Sequence, residues 1–183
     1  MAKMTYSHFQ HRHNFAVWCA ARAVQRKFAK TQVLEEALEK SGIVDFIKQN
    51  ENKPISQDEF DKLHTEWCES IIQTWKNKNL KGISYGRAAK LIAVYIKSMI
   101  TIRNGNSKLS EVAHPPIDRM ILQNISRDKT IKHPNRQYWK AVNWTELDKA
   151  QYLNLIRDFR VILKGKPFWH LEQYWPITND WKP

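Results

Sequence analysis

Two glycines four residues apart, Gly82 and Gly86, stand among Lys81, Ser84, Tyr85, Arg87 and Lys90. A turn with few side chains that leads into a helix start points backbone N–H groups outward, where a phosphate can accept them. Lys81, Arg87 and Lys90 add positive charge beside those amides, and Tyr85 is the aromatic placed at the turn. Further on, Asp118 follows a rigid His114-Pro-Pro116 stretch and opens an apolar run, which sets a carboxylate at a second helix start. That carboxylate can act on a reacting centre or can face its own helix dipole. Arg119, next to it, can hold a phosphate or pair with an acid elsewhere.

The charge distribution identifies a partner class for the turn. Lys and Arg number 10 against 10 Asp and Glu over residues 1–69, 14 against 3 over 70–140, and 6 against 5 over 141–183. No acid occurs from Ser70 through Ser110, and the middle segment carries nearly all of the net charge of +12. Such concentration suits a surface that meets successive phosphates, so nucleic acid is the expected partner, DNA ahead of RNA. Lys97 and Arg103 extend the charge outward from the turn. An acidic protein or a membrane surface stays open as the polyanion, although no basic stretch carries an exposed bulky apolar face that favours a membrane.

The segment Leu80-Lys-Gly-Ile-Ser-Tyr-Gly-Arg-Ala-Ala-Lys-Leu-Ile92, with His114-Pro-Pro-Ile-Asp118 after it, resembles the helix-hairpin-helix DNA glycosylase superfamily. The hairpin of that family looks like L-P-G-h-G-x-x-T-A; Gly82-Ile83-Ser84 lies on G-h-G and Arg87-Ala88 on T-A. The resemblance covers about residues 79–125 and implies a DNA-repair activity with Asp118 on the catalytic aspartate. Cleavage of an N-glycosidic bond builds positive charge on the sugar, and a carboxylate close by stabilises it or activates water. Lys81 replaces the family's Pro, Ser84 its second Gly, and the 32 residues from Gly86 to Asp118 imply an insertion around 103–110. Gly86 fills the slot in which bifunctional members carry a nucleophilic Lys, so a monofunctional enzyme without Schiff-base chemistry is expected.

Other clusters offer competing chemistry. Arg127 and His133, five positions beyond Asp128, resemble the R-x4–6-H motif of the HEPN ribonucleases, although Pro134 interrupts the helix that the motif occupies. The third reading is a nucleic-acid-binding subunit without catalysis. His8, His11 and His13 carry metal-ligating rings, but no Cys or carboxylate accompanies them in sequence and the segment is expected to fray. Neither a metal nor a cofactor is therefore expected. Tyr138, Trp139, Trp144, Phe168, Trp169, Tyr174, Trp175 and Trp181 crowd the last quarter, where they can stack bases or fill a core.

The elements that must position these groups are helical. Apolar spacing, five Gly in 183 residues and capping signals predict an all-α, compact multi-helix domain with a helix-hairpin-helix-like element. Helices are expected over 14–28, over 31–40 with Gly42 as stop, from the Ser56-Gln-Asp-Glu59 capping box to about 76, over 86–102 and 117–125, from a Thr145-Glu-Leu-Asp148 cap to about 163, and over 168–175. On the helix over 86–102, Leu91, Ile92, Tyr95, Met99 and Ile102 share one side and Arg87, Lys90 and Lys97 the other, which predicts an exposed basic face. Residues 126–137 read as an exposed basic loop. The whole chain, 1–183, reads as one domain, with the basic hairpin lobe at about 77–140 if two lobes exist. Two Cys without ligand spacing indicate a reducing compartment and buried thiols, and the absence of a signal-like or membrane-spanning apolar run predicts a cytoplasmic protein.

Overall fold

Polar side chains mark most of the helix starts. The computed structural model describes residues 6–24, 27–51 and 53–175, and every regular element among them is helical. Ser7 accepts the Gln10 N–H and starts α1 (His8–Ala23), so His8, His11 and His13 lie within a helix rather than on a frayed end. Gly42, at φ 86°, ends α2 (Thr31–Ser41) and lets the chain restart at once as α3 (Ile43–Asn50), a helix absent from the sequence reading. Ser56 caps α4 (Gln57–Asn77), and Ser84 caps α5 (Tyr85–Ile96). A π-helical turn (Lys97–Thr101) continues α5.

After α6 (Lys108–Val112), Asp118 caps α7 (Arg119–Arg127). The expected exposed loop at 126–137 is shorter. Its end folds as α8 (Arg136–Trp139), where Trp139 is fully buried and Arg136 donates to the Ser126 and Asp128 carbonyls. A 3-10 turn (Trp144–Glu146) precedes α9 (Lys149–Leu163), which begins at a reciprocal Asp148–Gln151 capping box. The last described element is a 3-10 helix (Phe168–Tyr174). Trp181 lies outside the described residues.

Helix α5 packs against α1 and α4, and α2 lies on α4. Small buried residues, Ala16 and Ala20 on α1 and Ala88 and Ala89 on α5, keep that pairing close. Buried side chains from all the α-helices form one apolar cluster. No described helix is long and apolar enough to cross a membrane.

A polar clamp inside the core fixes the His-Pro-Pro segment ahead of α7. His114 Nε2 lies 3.0 Å from Asp61 Oδ1 on α4, and its Nδ1 lies 3.2 Å from the Tyr152 hydroxyl on α9. Because a carboxylate only accepts, Nε2 carries the proton and Nδ1 accepts from Tyr152. Arg160 of α9 closes the clamp on both Asp61 oxygens. His64 stands beside His114, ring centroids 4.4 Å apart, and both imidazoles are buried.

Burial lowers the pKa of His64 and His114 below the ordinary histidine value. Between those lowered values and about 6.5 the unfolded chain binds more protons than the folded one, so stability falls as the pH drops through that window. Each ring contributes a slope of up to about 1.4 kcal/mol per pH unit. Urea unfolding from pH 7 to 5 should show this fall, with a slope shallower by about one proton in His64→Leu. An unchanged slope would mean that His64 is not held neutral.

Candidate active site

Lys90 follows Gly86 by one turn on α5, and its ammonium lies inside the protein, 6% exposed. Nζ donates to the Pro116 carbonyl and to Asp118 Oδ2, each at 3.0 Å, and sits 5.4 Å from the centre of a Trp144 ring. Burial lowers its pKa, and the Asp118 carboxylate opposes that shift. The exposed basic face expected for α5 is therefore corrected. Helical spacing groups Lys90 with Arg87 and Lys97, but Asp118 at the start of α7 and Glu172 of the 3-10 helix Phe168–Tyr174 meet Lys90 and Lys97 on that side. Lys97 pairs with Glu172 of the terminal 3-10 helix, and its ammonium lies 5.2 Å from the Trp175 ring centre. Arg103 pairs with Glu51.

Asp118 performs two tasks with separate oxygens. Oδ1 accepts the Ile121 N–H at 2.9 Å and caps α7, whereas Oδ2 meets Lys90. The same residue lines a cavity of about 480 Å³. Phe15 and Trp18 of α1 form one wall, and Val94, Pro116 and Ile121 contribute apolar surface. Phe15, Trp18 and Trp175 are about half exposed, so the cavity opens to solvent. The Arg22 guanidinium stacks 3.9 Å from the Trp18 ring centre at this mouth. Phe15 and Trp18 escaped the sequence reading. Their signal was an aromatic pair three residues apart on α1, off the alanine stripe that packs on α5.

The glycine turn itself is largely engaged within the protein. The Gly86 N–H donates to the Leu147 carbonyl at 3.0 Å, and the Arg87 N–H donates to Ser84 Oγ at 3.1 Å. The Arg87 guanidinium donates to the Val24 carbonyl and stacks on Phe28. Tyr85 turns inward, 5% exposed, toward Thr65, and burial raises its phenol pKa. Gly82, at φ 71°, and Lys81 remain exposed. Arg119 and Lys140 line a separate depression of about 410 Å³ with Asn143 and Thr145. Both are exposed and have no acidic partner among the described residues.

The remaining candidates lie outside this cavity, apart from Trp175. Arg127 donates to Asn124, while His133 accepts the Asn135 N–H, stacks on Trp139 and faces Asp158. Trp139 and Trp144 are buried, and Trp169 donates to the Gly105 carbonyl. Cys68 is buried and Cys19 is partly exposed at the cavity wall, both as free thiols. No protein-family model matches the chain, nor does any curated protein or solved structure.

A Cβ at Gly86 would drive into the Trp144 carbonyl oxygen and crowd Leu147 Cβ at 3.1 Å. Gly86→Ala should displace the 144–147 segment and lose about 1–3 kcal/mol in urea unfolding. An unchanged midpoint would show that this segment is not seated on α5 in solution.

Proposed function

We propose that this protein binds DNA and excises a base turned out of the duplex, with the Lys90 amine as nucleophile and Asp118 as its carboxylate partner, in place of the monofunctional chemistry without a Schiff base expected from the sequence. The observation that carries this reading is the Lys90–Asp118 pair, 3.0 Å apart, in the wall of an aromatic cavity that opens to solvent. Its volume of about 480 Å³ falls in the range of about 300–1,000 Å³ usual for small-molecule sites, and aromatic walls suit the faces of a flipped base. The resemblance to helix-hairpin-helix glycosylases also puts Asp118 in the catalytic position. It leaves the nucleophile's slot to Gly86, and Lys90 supplies an amine one turn further along the same helix.

The chemistry follows from the surroundings of the amine. Burial disfavours the ammonium, which makes the free amine more accessible near neutral pH, and Asp118 can take the proton it gives up. The amine attacks C1′ of the sugar. The C1′–N bond breaks, and the base leaves with the bonding electrons and receives the proton that Asp118 took. Breaking of the C1′–O4′ bond then leaves a protonated imine between C1′ and Nζ, and O4′ takes the proton that Nζ gives up. Once the base has taken the proton that Asp118 held, the restored Asp118 carboxylate offsets the positive charge of the imine.

Backbone contacts fit the exposed cations around this cavity. Arg119 directly follows Asp118 and shares its depression with Lys140, and Arg22 stands at the mouth. Lys81 adds charge at the turn. Phosphates held there would place a nucleotide beside the cavity, with affinity that falls steeply with salt.

Duplex DNA with an abasic site exposes the C1′ aldehyde whatever base the enzyme recognises, and borohydride reduces an imine to a stable covalent adduct. Native protein should form this adduct, and Lys90→Arg, which retains the positive charge, should not. Asp118→Asn retains an oxygen for the α7 cap, so it should bind DNA but release damaged bases at least about 100-fold more slowly. An adduct of equal yield with Lys90→Arg would remove Lys90 from the mechanism. DNA binding with neither adduct nor base release would leave a non-catalytic binding subunit.

A further inference from the structure

Outside the Lys90 cavity, α1 and α2 bring an imidazole and two carboxylates together without a hydrogen bond between them. His13 of α1 is 2% exposed. Its Nδ1 lies 2.8 Å from the hydroxyl of Tyr95, a fully buried residue of α5. The other ring nitrogen, Nε2, points at Glu35 Oε1 from 3.7 Å, too far for a hydrogen bond. Glu39, one turn beyond Glu35 on α2, joins them, and the three ligand atoms lie within 4.8 Å of one another. Two like charges at this spacing repel. No Lys or Arg within salt-bridge distance neutralises either carboxylate among the described residues, whereas Glu36 on the same helix pairs with both Lys40 and Lys78.

We infer that His13, Glu35 and Glu39 bind a divalent first-row transition-metal ion. One imidazole and two carboxylates form a donor set that suits zinc, manganese, iron or cobalt. The ion would occupy the point toward which Nε2 and both carboxylates converge, replacing mutual repulsion with three bonds. Tyr95 fixes the tautomer. With Nδ1–H donating to its hydroxyl at 2.8 Å, the Nε2 lone pair is free for the metal. A cavity of about 410 Å³ lined by His13, Glu39, Ser7 and Gln10 adjoins the site and leaves room for water in the remaining coordination positions. The ion would tie α1 to α2 and so brace the helix that carries Phe15 and Trp18. This inference is independent of base excision.

The test uses the full chain without a purification tag, stripped with a chelator and titrated with zinc, manganese and cobalt(II). One ion per chain is expected by elemental analysis, with a rise in melting temperature and a cobalt absorption band. Glu35→Gln with Glu39→Gln removes both anionic ligands, one partly exposed and one exposed, and should abolish all three signals without unfolding the apo chain. Tyr95→Phe should weaken affinity about 10–100-fold. Binding that survives the double substitution would assign the ion to exposed His8 or His11 and overturn the inference, as would the absence of binding by the native chain.

Discussion

An ammonium group enclosed by helices needs acceptors and a counter-charge, because an unpaired buried ion is costly enough to favour deprotonation or unfolding. The middle of this structure is built around that requirement at Lys90. The Pro116 carbonyl, the Asp118 carboxylate and the Trp144 ring each face Nζ, and they come from segments 26 to 54 residues farther along the chain. A lysine on the outside of α5 would ask nothing of them. Buried, it ties α5 to the entry of α7 and to the turn before α9.

The surrounding framework limits where Asp118 can go. His114 is gripped between α4 and α9, two prolines follow it, and the Ile121 amide fixes one Asp118 oxygen as a cap. The second oxygen meets Lys90 Nζ at 3.0 Å. On the opposite wall, the π-helical turn at Lys97–Thr101 widens the helical spiral beyond α5. Lys97, Ser98 and Ile102 line the cavity at this widened turn, and Lys97 reaches Glu172. The cavity thus lies between a clamped carboxylate and a helix whose regular pitch has been relaxed.

Local signals in the sequence were legible where a short segment determines its own shape. Gly42 and Ser56 marked a helix end and a helix start because those positions depend on nearby backbone groups. Asp118 at a helix start was legible for the same reason, since two prolines and an apolar run define that boundary. Lys90 was not. A helical wheel reports which side of α5 is polar, but it cannot report that Asp118 and Glu172 meet Lys90 and Lys97 on that side. Tyr85 was misplaced for a related reason: its position at the turn is local, whereas its inward direction depends on Thr65 and Tyr152. His13 lacked carboxylates in its own segment, and α2 supplied them across a helix pair.

These placements alter the meaning of the basic middle segment. Lys90, Lys97 and Arg103 are engaged by Asp118, Glu172 and Glu51, and the latter two acids come from outside the basic segment 70–140. Part of the excess charge is thus internal, and the acids that balance it are supplied by the fold. Exposed positive charge remains at Lys81, Arg119, Lys129, Lys132 and Lys140, on loops and at the start of α7 rather than along one face of α5. A flat basic helix would grip a phosphate backbone by charge alone. The present arrangement separates two environments: cations on the outside remain in solvent, while Lys90, the one buried lysine among the described residues, is paired with a carboxylate in a cavity wall.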